Sequence, residues 1–465
     1  MSGTALRSRP TGKLTGVALI VWSCVIESIG GSENKRANHM KKTFDMKKVA
    51  GFLIVSAVSA DFGLSQEQPA ASKLTTIYTF AAGVSPTGGM VRDQTGALYG
   101  ATSTGGDFSA GTVFQLTPPT TRGGGWTETV LHSFGVIPDG SQPLSTGLVF
   151  DTQGRLYGTT FSGGIVANST LGTVFQLTPP AAPGGAWSET VIYSFAGGSD
   201  GANPESGLVF GKNGVLYGTT FNGGGTVCAG AGCGTVFALK PPAAAGGAWA
   251  ERVIYRFPES GPGGQGPTGS LLLGKGGALY GMTTCRATGG GGYVFQMKPP
   301  AAAGGAWTET VLQSFNGFPA INPEGLTFGK NGSLYGTTGY GGAMNAGSVF
   351  VLTPPAVAGG AWTETVLYSF STTGDGFIPQ SGVLFGKNGA LYGTTAGGGA
   401  NGLGTVYVMK PPATVGGPWS ESVLYSFANT GDSGQPGALV IGSNGALYGA
   451  TTYPDSADTV FQFIP

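Results

Sequence analysis

Four aspartates of this 465-residue chain stand in short loops that also carry a proline, and they are its first candidates for chemistry. They are Asp139, Asp200, Asp375 and Asp432. Carboxylates that converge on one opening are typical ligands of Ca²⁺ and typical acid and base groups of glycoside hydrolases. An Asp directly before Gly or Ser also caps a turn with its own side chain, and the sequence favours this second interpretation.

Aromatic residues recur in Gly-rich loops elsewhere in the chain and form a second candidate set. They are Phe161, Phe221, Tyr340 and Tyr453. Rings around a concave mouth stack on sugars or hold a peptide. Packing of each ring against the adjacent loop is the alternative, and both interpretations stay open at this point.

Histidine is nearly absent, since the chain has only His39 and His132. His132 occupies the place where other parts of the chain carry Tyr, so we expect it to be structural. A Ser-His-Asp triad or a His-rich zinc site needs more than this. The sequence therefore predicts no cofactor and no metal site, with Ca²⁺ at the aspartates as the alternative.

A repeat sets the elements that must position these residues. The triplet Leu-Tyr-Gly occurs seven times, with intervals of 55 to 63 residues. A Gly stands two residues before each triplet, often as Asn-Gly between apolar runs, which predicts a tight hairpin. Two further apolar runs follow each of the first six triplets, the second one usually beginning at a Trp. Each full unit therefore contains four predicted strands.

Seven units of four strands predict an all-β protein, a seven-bladed β-propeller over residues 73–465. A fourth-strand motif at residues 74–80 precedes every first strand, and the last unit has no fourth strand of its own. We expect the N-terminal strand to complete the last blade and so to remove an exposed sheet edge. The repeated Trp predicts packing between blades, and the Glu two residues later is expected to keep the outer edge soluble.

Arg92 interrupts the repeat, because other units carry Phe at this position, as at Phe150 and Phe210. An Arg on the innermost strand predicts a cation near the central channel. Sequence drift in the first unit is the alternative interpretation.

The repeat resembles a bacterial tandem-repeat family known as the GloVer repeat. The resemblance rests on Leu-Tyr-Gly-Thr-Thr, a Gly-Gly loop, Gly-Thr-Val-Phe and a Tyr-Ser-Phe strand, and it covers residues 73–465. It implies a secreted, propeller-like array with no established activity. A looser likeness to kelch repeats, through the Gly-Gly pair and the later Trp, also implies a propeller and no particular chemistry.

Residues 1–72 lack the repeat and hold nine of the 23 Lys and Arg. Four lysines precede an apolar run at 49–60 that ends in Val58-Ser59-Ala60, so we interpret the segment as a leader with a signal peptide cleaved near Ala60. Met40 and Met46 are alternative starts, which would make residues 1–39 an upstream extension. Because the run is too short to span a bilayer, the sequence predicts a secreted or periplasmic protein without a membrane span.

Removal of residues 1–60 takes away nine basic and three acidic residues and leaves 14 Lys and Arg against 20 Asp and Glu, a net charge of −6. No basic run follows residue 48, so nucleic acid is not a predicted partner. An exported protein is expected to pair two of its three remaining cysteines. Cys228 with Cys233 is the local choice, and Cys285 is the alternative partner.

Three functional hypotheses follow from the sequence. The first is a secreted, non-catalytic binding module that recognises an extracellular carbohydrate or protein through one propeller face. The second is a carbohydrate-active hydrolase or lyase with carboxylates at the pore, and the third is a structural envelope protein. The first is favoured, because the sequence shows no catalytic signature.

Overall fold

The computed structural model describes residues 73–465 except 122, 136, 145–146, 166–170, 183, 229, 245, 260–264, 286–290, 303, 316–321, 358, 373, 415 and 454–456. Residues 72–465 form one compact unit. Its strands form seven antiparallel four-stranded sheets in a ring, which confirms the predicted seven-bladed β-propeller. Across the described residues, no helix is long and apolar enough to cross a membrane.

The first strand, β1 (Lys73–Thr79), belongs to the last blade, and the other strands follow in blade order. Blade 1 contains β2 (Pro86–Arg92), β3 (Leu98–Thr102), β4 (Thr112–Thr117) and β5 (Thr127–Ser133). Blade 2 contains β7 (Val149–Phe150), β8 (Leu156–Thr160), β10 (Thr173–Thr178) and β11 (Ser188–Ser194), with the short pair β6 (Gly140–Ser141) and β9 (Ser162–Gly163) beside it. Blade 3 contains β13 (Val209–Phe210), β14 (Leu216–Thr220), β16 (Thr235–Lys240) and β17 (Ala250–Arg256), with the short pair β12 (Gly201–Ala202) and β15 (Asn222–Gly223).

The remaining blades repeat this order. Blade 4 contains β18 (Gln265–Leu273), β19 (Leu279–Cys285), β20 (Tyr293–Lys298) and β21 (Thr308–Ser314). Blade 5 contains β22 (Pro323–Phe328), β23 (Leu334–Thr338), β24 (Ser348–Thr353) and β25 (Thr363–Ser369). Blade 6 contains β26 (Leu384–Phe385), β27 (Leu391–Thr395), β28 (Thr405–Lys410) and β29 (Ser420–Ser426), and blade 7 contains β30 (Pro436–Ile441), β31 (Leu447–Thr451) and β32 (Thr459–Ile464).

The ring closes as the sequence predicts, because β1 pairs with β32 as the fourth strand of blade 7. Lys73 lies opposite Ile464 and Thr79 lies opposite Thr459 in this antiparallel ladder. Phe80 directly follows β1 and is buried against Phe114 of blade 1, with ring centroids 5.2 Å apart. The first described strand therefore joins the last blade to the first.

The Asn-Gly pairs make the predicted tight turns between the first and second strands. In blades 3, 5 and 6 the turn is one 3-10 turn, and its Asn has a φ of 57° to 61°. These turns are Lys212–Gly214, Lys330–Gly332 and Lys387–Gly389, and blade 4 has Lys275–Gly277 in the same place. Asn tolerates the left-handed region better than most residues, which explains its recurrence.

The core lies between blades. In each of the first six, the repeated Trp packs edge-on against the Leu-Tyr-Gly tyrosine of an adjacent blade, as with Trp187 and Tyr99 at 6.3 Å between ring centroids. The same tyrosine also packs on the Phe that ends the next innermost strand, as with Tyr99 and Phe150 at 5.0 Å. The predicted role of the tryptophans in blade packing is confirmed.

Glycines bring the innermost strands together around the channel. A Cβ added to Gly325 of blade 5 would lie 2.3 Å from the backbone nitrogen of Gly382 in blade 6. Gly207 stands in the same relation to Gly147, where a Cβ would lie 2.7 Å from the carbonyl oxygen. Neighbouring blades therefore touch backbone to backbone at the axis, which only glycine permits.

Candidate functional site

One face of the propeller is built by two loops from each blade. The first enters the innermost strand, and the second is the Gly-rich loop after Leu-Tyr-Gly-Thr-Thr. In blade 2 the two loops pair through β6 and β9, and in blade 3 through β12 and β15. In blade 6 a bridge between Phe377 and Gly397 plays the same part. We call this side the loop face, and it is where the sequence varies most between units.

The four candidate aspartates sit at the outer side of this face. Each accepts a hydrogen bond from the turn that precedes it, and all four contact a ring on the fourth, outermost strand. Tyr193 donates to Asp200 at 2.9 Å, Tyr368 to Asp375 at 2.6 Å and Tyr425 to Asp432 at 2.7 Å. At Asp139 the ring is His132, whose Nε2 lies 3.0 Å from Asp139 Oδ2.

These contacts show what the aspartates do for the fold. Backbone NH groups of Gly135, Ala196, Ser371 and Ala428 donate to the carboxylates of Asp139, Asp200, Asp375 and Asp432. The side chains therefore cap the entering turns and tie them to the outermost strands. The structure does not bring these four carboxylates together around the channel.

The glutamate two residues after each Trp has a role that the sequence did not reveal. Glu189, Glu251 and Glu421 are half-buried between blades, and each has an Oε1 that is buried without a hydrogen-bond partner. Burial, assisted by a nearby Asp of the preceding entering loop, raises the pKa of each carboxyl to about 7. That these residues keep the outer edge soluble stays a prediction, and the structure adds that they face the neighbouring blade.

Other blade interfaces use the same glutamate in a direct hydrogen bond. Its partner is a side chain on the fourth strand of the preceding blade in ring order. Tyr78 donates to Glu128 at 2.5 Å, Tyr255 donates to Glu309 at 3.1 Å, and Gln313 donates to Glu364 at 2.6 Å. The interface before blade 7 differs, since Leu74 stands where the other blades carry Glu.

Two further glutamates stand in or beside innermost strands and directly follow the repeated proline. Glu324 lies in β22, Glu205 lies in the entering loop before β13, and both side chains are partly exposed. Neither carboxyl has a hydrogen-bond partner among the described residues. Desolvation alone raises the pKa of both to about 8, so both are largely uncharged at neutral pH. Neither residue stands out as a candidate in the sequence, although the recurrent proline marks their position.

Both glutamates belong to a set of polar residues at equivalent positions in five of the seven blades. The residue after the repeated proline is neutral and polar in three other blades, and the set is Thr87, Glu205, Thr268, Glu324 and Gln380. Gly339, at the start of the Gly-rich loop, has its added Cβ 3.6 Å from Glu324 Oε1. The carboxyl of Glu324 therefore lies beside the Gly-rich loop, at the loop-face end of blade 5.

The candidate aromatic residues lie on the same face and are partly buried. They are Phe161, Phe221, Tyr340 and Tyr453. Phe221 packs on Gly266 in β18 of the next blade, since a Cβ there would lie 2.6 Å from the ring. The ring of Tyr453 lies 3.4 Å from the equivalent point at Gly434. Tyr453 therefore packs against an entering loop and Phe221 against the innermost strand of the next blade, while part of each side chain stays accessible.

Arg92 ends β2 at the opposite end of the innermost strand. Its Nη2 lies 3.0 Å from a Cβ added to Gly96 in the adjoining tight turn, and its buried Nε has no hydrogen-bond partner. In other blades the Phe at this position packs on a tyrosine of the preceding blade. The structure therefore places Arg92 away from the loop face and apart from the candidate aspartates.

Cys228 and Cys233 form a disulfide within the Gly-rich loop of blade 3. Cys228 has a φ of 55°, and Cys233 is 2% exposed. The disulfide crosslinks a loop of the loop face, and Phe221 lies on the same face. Cys285 ends β19, where its backbone pairs opposite Gln265.

Several solved structures are similar to this chain. An oxidoreductase of Thermus thermophilus described as a glucose dehydrogenase is 15% identical, with a TM-score of 0.41 over 84% of this chain and all of the other. PorZ of Porphyromonas gingivalis, a surface component of the type-IX secretion system, is 15% identical, with a TM-score of 0.49 over 80% of this chain and 46% of the other. A polysaccharide lyase of family PL25, an ulvan lyase, is 9% identical, with a TM-score of 0.49 over 83% of this chain and 95% of the other. At these identities and scores the likenesses carry no information on activity.

No curated protein matches the chain at a significant level. A family model does match, over residues 62–245 and 167–358, which together span more than half of the sequence. The match covers blades 1 to 4, most of blade 5 and the motifs on which the resemblance rests. The chain belongs to the Gloeobacter/Verrucomicrobia repeat family.

Proposed function

We propose that the protein is a secreted, non-catalytic binding module that holds an extracellular ligand at the channel mouth of the loop face. A carbohydrate fits this site better than a protein does. The observation that carries the proposal is the pair Glu205 and Glu324, two largely uncharged carboxyls at equivalent positions after the repeated proline, without a hydrogen-bond partner among the described residues.

The chemistry of the five polar residues that follow the repeated proline suits a neutral, hydroxyl-rich ligand. A protonated carboxyl both donates and accepts hydrogen bonds, and so do the Thr hydroxyls and the Gln amide at the equivalent positions. Sugar hydroxyls need both functions at once. Phe161, Phe221, Tyr340 and Tyr453 would add partly accessible ring faces for stacking around the mouth. A net charge of −6 for residues 61–465 does not oppose a neutral glycan.

The two carboxyls are poorly matched to acid–base catalysis. A glycoside hydrolase needs one carboxylic acid and one carboxylate, whose pKa values are pushed apart by different environments. Here the same cause, desolvation, raises both pKa values to about 8. Asp139, Asp200, Asp375 and Asp432 are engaged in capping turns. These observations favour binding over hydrolysis or lysis.

Secretion is part of the proposal. The apolar run at 49–60 and its site near Ala60 lie outside the described residues and remain a prediction of a signal peptide. The disulfide between Cys228 and Cys233 is consistent with an oxidising compartment.

The experiment is a glycan array followed by calorimetry on the best ligand. Glu324→Ala and Glu205→Ala are each expected to weaken binding several-fold, since a hydrogen bond contributes about 1 kcal/mol. Glu324→Gln keeps a donor and an acceptor and is expected to bind close to the wild type. Glu259→Ala removes an exposed carboxylate from the entering loop of blade 4 and serves as the control.

Two outcomes would contradict the proposal. One is a protein that binds no glycan and no extracellular protein. The other is depolymerisation of a polysaccharide with loss of activity in both Glu205→Gln and Glu324→Gln, which would establish the enzyme in place of the binding module.

A further inference from the structure

The interface between blades 1 and 2 differs from two equivalent interfaces by a single side chain, which is His instead of Tyr. Blades 2 and 3 meet at Tyr193, Asp200 and Glu251, and blades 5 and 6 meet at Tyr368, Asp375 and Glu421. Blades 1 and 2 meet at His132, Asp139 and Glu189. The phenol of the other two interfaces can only donate to the Asp, whereas an imidazole nitrogen can also bind a metal.

The three side chains at this interface are close enough to share one ion. His132, Asp139 and Glu189 each offer a ligand atom, and these atoms all lie within 4.8 Å of one another. Two atoms bound to one cation at about 2.0 to 2.6 Å are at most about 4 to 5 Å apart. Glu189 also has a buried Oε1 without a hydrogen-bond partner. The spacing and the unused oxygen both fit a bound cation.

The positions of His132 and Asp139 are fixed by the fold. Asp139 Oδ1 accepts from the NH of Gly140 at 2.7 Å and Oδ2 accepts from the NH of Gly135 at 3.0 Å. The ring of His132 packs edge-on against the buried Phe134, with centroids 4.8 Å apart. Such outer contacts orient ligands and strengthen metal binding.

The cluster is also reachable from solvent. Asp139 and Glu189 lie on the wall of an open groove of about 650 Å³ between Pro138 and the outermost strand of blade 2. The side chains of His132 and Asp139 are 22% and 16% exposed. A hydrated cation therefore has an entry path and space for a water ligand.

We propose that His132, Asp139 and Glu189 form a binding site for one divalent transition-metal cation of the Zn²⁺ type. One imidazole nitrogen and two carboxylate oxygens are a ligand set that suits Zn²⁺, and the groove supplies a fourth, water-filled position. Ca²⁺ and Mg²⁺ prefer oxygen ligands only and bind more weakly to such a set. The bound ion would bridge the fourth strands of blades 1 and 2.

The test is calorimetric titration of the full chain with ZnCl₂, alongside His132→Tyr. This substitution installs the residue that the equivalent interfaces carry, so it is expected to fold. Wild type is expected to bind one more Zn²⁺ than His132→Tyr does, and Zn²⁺ is expected to raise the melting temperature of the wild type alone. Glu189→Gln, which keeps the shape of the side chain, is expected to weaken the same site at least 10-fold.

The reverse substitution provides a gain-of-site control. Tyr193→His places an imidazole beside Asp200 and Glu251 and is expected to add a second equivalent of bound Zn²⁺. Equal Zn²⁺ stoichiometry and affinity in wild type and His132→Tyr would overturn the proposal. Preference for Ca²⁺ over Zn²⁺ at the site would overturn it as well. Neither result depends on whether a glycan binds at the channel.

Discussion

The backbone contact between innermost strands leads to a prediction that separates two costs of replacing glycine. Gly325 has a φ of 58°, and a Cβ there would lie 2.3 Å from a backbone nitrogen of blade 6. Gly332, in the tight turn of the same blade, has a φ of 79° with no atom within 4 Å of the added Cβ. Gly382 has no positive φ, but its Cβ would lie 2.9 Å from the backbone of Gly325. The three sites therefore test conformation, packing and both together.

The expected magnitudes follow from these geometries. A positive φ costs Ala about 1 to 2 kcal/mol, and part of this is offset by the lower entropy of the unfolded chain. Forcing a methyl group against a rigid neighbour costs about 1 to 3 kcal/mol. We expect about 1 kcal/mol for Gly332→Ala, about 1 to 3 for Gly382→Ala and about 2 to 5 for Gly325→Ala.

Thermal unfolding followed by tryptophan fluorescence at one scan rate measures the difference. An unfolding entropy of about 2 cal/mol/K per residue gives a body of this size roughly 0.8 kcal/mol/K. One kcal/mol then corresponds to about 1 °C, so Gly325→Ala is expected to melt about 2 to 6 °C below the wild type and Gly332→Ala about 1 °C below. Equal losses at Gly325 and Gly332 would refute the argument that neighbouring blades touch at the axis.

Three further predictions concern the closure of the ring by β1, the protonation of Glu324 and the redox state of the cysteines. Deletion of residues 73–80 removes β1 and the buried Phe80 and is expected to lower the melting temperature by roughly 5 to 10 °C and to promote aggregation; an unchanged melt would argue against closure by β1. Glu324 has a folded pKa of about 8, above its unfolded value, so its contribution is complete below about pH 4.5 and is lost as the pH rises through 8. The melting temperature of Glu324→Gln should therefore fall less than that of the wild type between pH 5 and pH 9, and parallel curves would contradict this. Reduction of the disulfide is expected to cost about 2 kcal/mol, and non-reducing mass spectrometry should find Cys228 linked to Cys233 and Cys285 as a free thiol; three free thiols in exported protein would contradict this pairing.

The fold could be predicted because each of its signals is repeated. One Gly two residues before one Leu-Tyr-Gly is a weak signal, but seven copies, four of them with Asn-Gly, fix the strand order and leave a propeller as the architecture. The unmatched strand at residues 74–80 predicted how the ring closes. Local turn chemistry and hydrophobic alternation carry this information, and both are written in the chain itself.

The candidate site was harder to predict, because its properties come from neighbours in space. Glu205 and Glu324 are two of the seven residues that directly follow the repeated proline, one in each blade. Only their enclosure by adjacent blades makes them uncharged. Glu189 belongs to a regular motif, yet its contact with the preceding blade arises only when the blades are arranged in a ring. The sequence favoured a capping role for Asp200 over a ligand or catalytic role, and its bonds to Tyr193 and to the turn show that it caps. The single His in place of Tyr at position 132 was the one sequence signal for the cluster at blades 1 and 2.

The seam between β1 and β32 also determines how the propeller responds to force. Lys73 lies opposite Ile464, so the described chain enters and leaves this ladder at the same end. Tension applied between the two ends would load one pair of hydrogen bonds at a time, in the manner of a zipper, whereas opposed ends would share the load across the whole ladder in shear. No other pair of strands in the described ring receives such a pull directly. The propeller therefore has a built-in line of mechanical opening. If both ends were attached and pulled apart by flow or traction, the ring would open along this line first.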